Sequence, residues 1–207
     1  ARAYAERGVK EGDLVTIALP NGAEHFAATL ACWRLGATPQ PVSARLPETE
    51  RRAIVALAQP ALVVGAPEGE AYEHASLPAG FEPDASISDA PLPDRVSRHV
   101  RCMTSGGSTG LPKLIVDLVA AQADPEIAEN GMRAGGVTLA PGPLYHAGPF
   151  ITAWQTLLSG GTLALMSRFD PEEALALVER HRVEWVLFVP TMMQRIWRLP
   201  EETRKRF

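Results

Sequence analysis

Met103-Thr-Ser-Gly-Gly-Ser-Thr-Gly-Leu-Pro-Lys113 decides how this 207-residue chain is read. Gly106, Gly107 and Gly110 are interleaved with the hydroxyls of Thr104, Ser105, Ser108 and Thr109. A short, mainly apolar run, Val100 to Met103, leads in, and a lysine after a proline leads out. Glycine has no Cβ and takes positive φ freely, so successive backbone N–H groups can turn inward around an anion that the hydroxyls also bind. That is the composition of a phosphate cradle. A Walker loop is excluded, because its lysine directly follows the last glycine and a Ser or Thr comes next. Here Leu111-Pro112 intervene and Leu114 follows Lys113. A dinucleotide fingerprint would open a helix, and fits no better. Pro112 lacks an N–H and disfavours helix in the residue before it, so the chain is predicted to leave the loop extended, through Lys113 to Val116. A plain surface turn is the competing reading of any Gly/Ser cluster. The apolar run on each side and the single cation at the exit weigh against it. Lysine is also scarce, three residues against seventeen arginines, which suggests that position 113 needs a point charge.

Outward from the loop, strand and helix patterns alternate. Leu14–Leu19 reads as a strand covered on both faces, and Asn21 as the cap of a helix that turns Phe26, Leu30 and Trp33 inward before Gly36. Pro39 and Pro41 confine 38–42 to an edge or irregular strand. A second helix over 48–58 is predicted to place Glu50, Arg51 and Arg52 in water and Ile54 and Leu57 inside, and 61–64 to be a buried strand. From 66 to 98, prolines and glycines indicate a long surface loop within one domain. Asp84, Asp89 and Asp94 in it match no metal loop and are read as solvated. Residues 117–136 suggest interrupted helix, 137–140 a strand, 141–149 a loop, 150–158 a helix and 162–166 a strand. Asp170-Pro-Glu-Glu173 carries a cap, a first-position proline and a reciprocal glutamate for a helix to about His181. A strand over 183–189 and a helix from Thr191 follow. The predicted fold class is α/β, a mostly parallel sheet flanked by helices.

Composition bounds the rest. The formal net charge of −4, with both signs interspersed, offers no basic patch for nucleic acid. Cys32 and Cys102 are read as buried, reduced thiols, and a cytoplasmic home is expected. No apolar run approaches membrane-spanning length, and no signal peptide is visible. No Ser/His/Asp order with an elbow, no HExxH and no paired CxxC supports a hydrolase or zinc enzyme.

The stretch Ser105 to Lys113 resembles the phosphate-binding signature of the adenylate-forming superfamily: acyl-CoA synthetases, peptide-synthetase adenylation domains and luciferases. Gly142-Pro-Leu-Tyr-His-Ala-Gly-Pro-Phe150 resembles that family's next motif, closest in look to bile-acid and fatty-acid CoA ligases. Asn21 to Val42 resembles its early helix and glycine turn. The resemblance implies that Thr104, Ser105, Gly106, Gly107, Ser108 and Thr109 hold the β- and γ-phosphates of ATP, that Gly110 gives the close backbone turn, and that Lys113 is the catalytic cation. Gly106 departs from the pattern, where many relatives carry Ser or Thr. Tyr145, His146, Ala147 and Gly148 would line the entrance between acyl pocket and nucleotide, with His146 steering and shaping rather than moving a proton. Thr104 or Ser108 would lie near Mg2+, the chain holding no other metal ligand. The implied enzyme is an AMP-forming acid–thiol ligase using ATP, Mg2+ and CoA on a small carboxylate, with no nucleic-acid partner, no membrane span and a homodimer allowed. Residues 1–207 would be an incomplete part of the large N-terminal domain, without the mobile C-terminal domain and inactive alone. An amino-acid-activating adenylation domain and a degenerate nucleotide-binding module are the alternatives.

Overall fold

The structure is a computed structural model that describes residues 1–67, 69–70, 72–105, 112–126 and 130–207. It divides into two compact units, 1–122 and 123–207.

The first unit is built on a parallel sheet. Its elements are α1 (Arg2–Ala5), β1 (Leu14–Ile17), α2 (Ala23–Arg34), β2 (Thr38–Pro41), α3 (Glu48–Ala58), β3 (Leu62–Val64), β4 (Ala75–Leu77), β5 (Cys102–Ser105) and β6 (Lys113–Val116). Four strands run in the order β2-β1-β3-β4, all neighbours parallel. Parallel strands have both faces covered, which is why β1 reads as a near-continuous apolar run, in which Val15, Thr16 and Ile17 are all fully buried. Pro39 and Pro41 lie on β2 at the edge, where a missing N–H removes no inner ladder bond. Gly65, at φ +81°, ends β3 where a Cβ would stand 2.5 Å from the Ala18 carbonyl oxygen. β5 and β6 form a separate antiparallel pair.

Several expectations are corrected here. The buried stripe of α2 is His25, Ala28, Thr29, Ala31 and Cys32, one position off the predicted face. Small residues let the helix approach the sheet closely. Leu30 is exposed, and Trp33 is only half-buried, its indole Nε1 donating to the Val100 carbonyl at 2.9 Å. Gly22, not Asn21, is the N-cap. On α3, Arg51 is buried and Leu57 exposed. The Arg51 guanidinium is satisfied by Glu70, by the Tyr72 hydroxyl and by the Leu46 carbonyl, and Glu70 and Tyr72 come from a segment about 20 residues on that local periodicity does not register. That pairing holds the Glu70 carboxyl below its ordinary range. The 66–98 excursion is not wholly irregular, since it contributes β4.

The second unit contains β7 (Val137–Ala140), α4 (Ala147–Leu158), β8 (Thr162–Leu165), α5 (Pro171–His181), β9 (Trp185–Val186), α6 (Pro190–Trp197) and α7 (Glu201–Arg204). Its sheet runs β8-β7-β9, again parallel, with Leu139, Met166, Phe169 and Ala174 at the core. Asp170 caps α5 as expected, its carboxylate accepting from the Glu172 and Glu173 amides at 3.0 Å. Three boundaries differ from the sequence reading. The described residues of 117–136 form no helix, α4 begins three residues early at Ala147, and β9 covers two residues of the seven expected.

Candidate active site

The glycine loop lies in sequence between β5 and β6, which pair as an antiparallel hairpin. The register pairs Cys102 with Val116, Met103 with Ile115, Thr104 with Leu114 and Ser105 with Lys113. Directly opposed residues share a face, so Ser105 and the exposed Lys113 stand side by side at the neck of the loop. Thr104, one residue earlier, belongs to the other face. Gly106, Gly107, Ser108, Thr109 and Gly110 lie outside the described residues. The extended exit after Pro112 is as the sequence predicts.

The hairpin is held at its root. Arg101 is buried, and its Nε lies 2.7 Å from Asp117 Oδ2. Backbone bonds Val100 N to Val119 O (2.7 Å) and Asp117 N to Arg101 O (3.1 Å) close the same end, and His99 Nδ1 lies 2.7 Å from the Asp117 carbonyl. Burial pulls the Arg101 pKa down, and Asp117 opposes the shift. Burial, with Asp117 adding to it, raises the Cys102 thiol to about 11, so it is protonated at neutral pH and is no nucleophile. Thr104 has one further contact: the buried Gln40 on β2 brings its Nε2 to 3.4 Å from Thr104 Oγ1.

In the second unit a Gly-Pro turn carries the chain from β7 into α4. Leu144 is buried and anchors it. Tyr145 is half-buried and His146 exposed, their ring centroids 4.5 Å apart at 52°. His146 is the N-cap residue of α4. Its carbonyl accepts from Phe150 N at 3.0 Å, and its imidazole makes no capping bond. Ala147 and Gly148 are exposed in the first turn. A Cβ at Gly148 would lie 2.8 Å from Leu187 Cδ2, and one at Gly142 would lie 2.7 Å from Pro149 Cγ. The buried Gly142 is held to glycine by the proline ring, whereas at the exposed Gly148 only the end of a leucine side chain would have to shift. Thr104, Ser105 and Lys113 belong to the first unit, and Tyr145, His146, Ala147 and Gly148 to the second. Gln40 and the Arg101–Asp117 brace were missed by sequence reasoning, because nothing local marks a glutamine between two prolines or an arginine within an apolar run.

The sequence pattern of the AMP-binding enzyme family matches residues 1–207. The chain belongs to that family. Among curated relatives, it is 33% identical over 201 residues to a feruloyl-CoA synthase of Amycolatopsis, covering 91% of this chain and 41% of the relative. It is 29% identical to a sulfoacetate–CoA ligase of Cupriavidus necator, covering 93% and 42% respectively. The chain thus spans about two fifths of the length of these relatives. Its fold matches the O-succinylbenzoate coenzyme A synthetase of Bacillus subtilis, solved with ATP and magnesium ion, at a TM-score of 0.75 and 22% identity, over 95% of this chain and 44% of that one. The α/β architecture expected from the sequence is therefore that of adenylate-forming N-terminal domains. Among the described residues no group of His, Cys, Asp and Glu could hold a metal ion, and no helix is long and apolar enough to cross a membrane.

Proposed function

We propose that the full-length protein is an AMP-forming carboxylate–CoA ligase, to which this chain contributes the phosphate-handling hairpin and part of the acyl entrance. The observation that carries the reading is the register of β5 on β6, which sets Ser105 opposite Lys113 at the neck of a glycine loop. A substrate carboxylate is ionised at neutral pH and needs no general base. The obstacle is bringing an anion to a polyanion and letting pyrophosphate leave, so catalysis is mainly positioning and charge neutralisation. Backbone amides and hydroxyls of 104–109 would hold the β- and γ-phosphates, with Gly110 turning the chain and Lys113 countering charge on the departing group. A carboxylate oxygen bonds to the α-phosphorus as the bond to pyrophosphate breaks. The CoA thiol, losing its proton, then attacks the acyl carbonyl and AMP leaves.

The donor set at the neck fits an anion, because it pairs a hydroxyl with an exposed ammonium. Mg2+, when bound, neutralises phosphate charge, and the hydroxyl of Thr104 or Ser108 is what this chain would offer near it. Tyr145 and His146, a half-buried and an exposed ring paired at a helix start, would shape the acyl entrance. The acyl class is a fatty, aryl or sterol carboxylate, the expected setting is the cytoplasm, and a homodimer is allowed. The 207-residue chain by itself is inactive in this reading.

The test is pyrophosphate release by the full-length protein with ATP, Mg2+ and a panel of carboxylates, with and without CoA. Release dependent on a fatty, aryl or sterol acid, with a CoA thioester as product, is the expected result. Release with amino acids alone would move the protein to the adenylation-domain branch. Nucleotide binding without turnover would make it a degenerate module. Thioester formation by residues 1–207 alone would overturn the claim of inactivity.

A further inference from the structure

Thr104, the first hydroxyl of the cradle, is tied to the four-stranded sheet through a buried polar chain. Thr16 on β1 and Gln40 on β2 are register partners, and both are completely buried. Thr16 Oγ1 lies 2.6 Å from Gln40 Oε1, and Gln40 Nε2 lies 3.4 Å from Thr104 Oγ1. The two lengths favour one orientation of the amide. O–H···O bonds centre near about 2.7 Å, whereas N–H···O bonds are longer. The short contact is therefore a hydroxyl donating to the amide oxygen, and the long one the amide N–H donating to Thr104. A hydroxyl has one proton and two lone pairs. Thr104 accepts from Gln40, so its own proton is left free to be donated to another acceptor. The flanking Pro39 and Pro41 fix φ on either side of Gln40 and stiffen the strand that presents it. A buried amide is costly unless its donors and acceptor are met, and both ends of this one are engaged.

We propose that Gln40 is a positioning residue for the phosphate cradle: anchored by Thr16, it holds the Thr104 hydroxyl as an acceptor on the sheet side and so commits it as a donor to the phosphate side. The proposal rests on the reading of the glycine loop as an ATP-phosphate site. Nothing local in the sequence marks the role, since Gln40 precedes Thr104 by 64 residues.

The experiment measures KM for ATP and kcat separately, by carboxylate-dependent ATP–pyrophosphate exchange, in the full-length protein and its Q40L, T16V, T104V, Q40L/T104V, Q40E and K113A variants. Q40L is expected to raise KM for ATP by roughly five- to tenfold with a smaller change in kcat. T16V, which frees the amide to turn, is expected to give part of that rise. T104V should match Q40L, and the double variant should be no worse than T104V. Q40E supplies a signature that a purely structural residue would not produce. Its ionised carboxylate can only accept, which turns the Thr104 proton inward. Protonation restores a donor, so KM for ATP in Q40E should improve as pH falls. Multiplying effects of Q40L and T104V, an unchanged KM for ATP in Q40L, or a Q40E profile parallel to wild type would each overturn the proposal. Should Q40L fail to fold, T16V and Q40E carry the test. If K113A and T104V both leave exchange unchanged, the cradle reading falls and takes this inference with it. If K113A collapses exchange while the Gln40 variants act independently of Thr104, only the inference falls.

Discussion

Two glycine-rich turns, one in each unit, are built for different ends. The turn between β5 and β6 joins antiparallel strands whose last pair is Ser105 and Lys113, and its root is braced by a buried arginine on Asp117. The turn between β7 and α4 runs from a buried strand into a helix, and its glycines at 142 and 148 sit where a Cβ would strike Pro149 and Leu187. The first gathers charge and hydroxyls at a neck. The second makes room for close packing and leaves Tyr145 and His146 at the surface. Glycine therefore carries no single meaning: its role follows from whether the residues around it are polar and exposed or apolar and pressed together.

The comparison breaks most sharply at Lys113. In the full-length protein, Lys113→Ala is expected to lower pyrophosphate-forming turnover by on the order of 100-fold or more, as loss of a charge-stabilising donor does. Unchanged turnover would reduce the hairpin to a plain turn. The two histidines should separate next. His25 is buried on α2, and burial lowers its pKa from 6.5 to about 4, whereas His146 lies at the surface. Between these values the unfolded chain binds the proton and the folded one does not. Stability is therefore complete above about pH 6.5 and falls as the pH drops toward 4, by about 3 kcal/mol in all. Urea midpoints measured across that range in wild type and His25→Gln test this, and an equal acid slope in both would refute it.

Gly142→Ala, a packing change, should destabilise by about 2 kcal/mol through the Pro149 contact, as seen in a lowered urea midpoint, with ATP affinity following only the folded fraction. A selective loss of ATP affinity in a stable variant would extend the task proposed for the first turn to the second. Smallest is His146→Phe, which conserves a ring at the surface. Turnover should stay within roughly twofold at every pH, with any change appearing in KM for the carboxylate. Abolished activity in a folded variant would make His146 a proton-transfer residue.

Legibility in the sequence followed the range of the interactions. The extended exit of the loop, the edge strand with two prolines and the Asp170 cap are all decided within a few residues, and all appear where expected. Misreadings arose where a partner lies far away. Arg51 reads as a solvated charge until Glu70 and Tyr72 are brought to it, and Trp33 reads as core until its indole is seen reaching Val100. On α2 the spacing of the largest apolar side chains points to one face, whereas the face that is buried carries alanines, a threonine, a cysteine and a histidine.

By itself, the sequence determined the α/β class, because backbone conformational limits and apolar periodicity are local properties, and its motifs carried the resemblance to the family that matches residues 1–207. Only the tertiary structure decided that Ser105 faces Lys113 and that Gln40 reaches Thr104. Strand register and buried polar partners depend on which distant segments are brought side by side, and that is a property of the whole packed sheet.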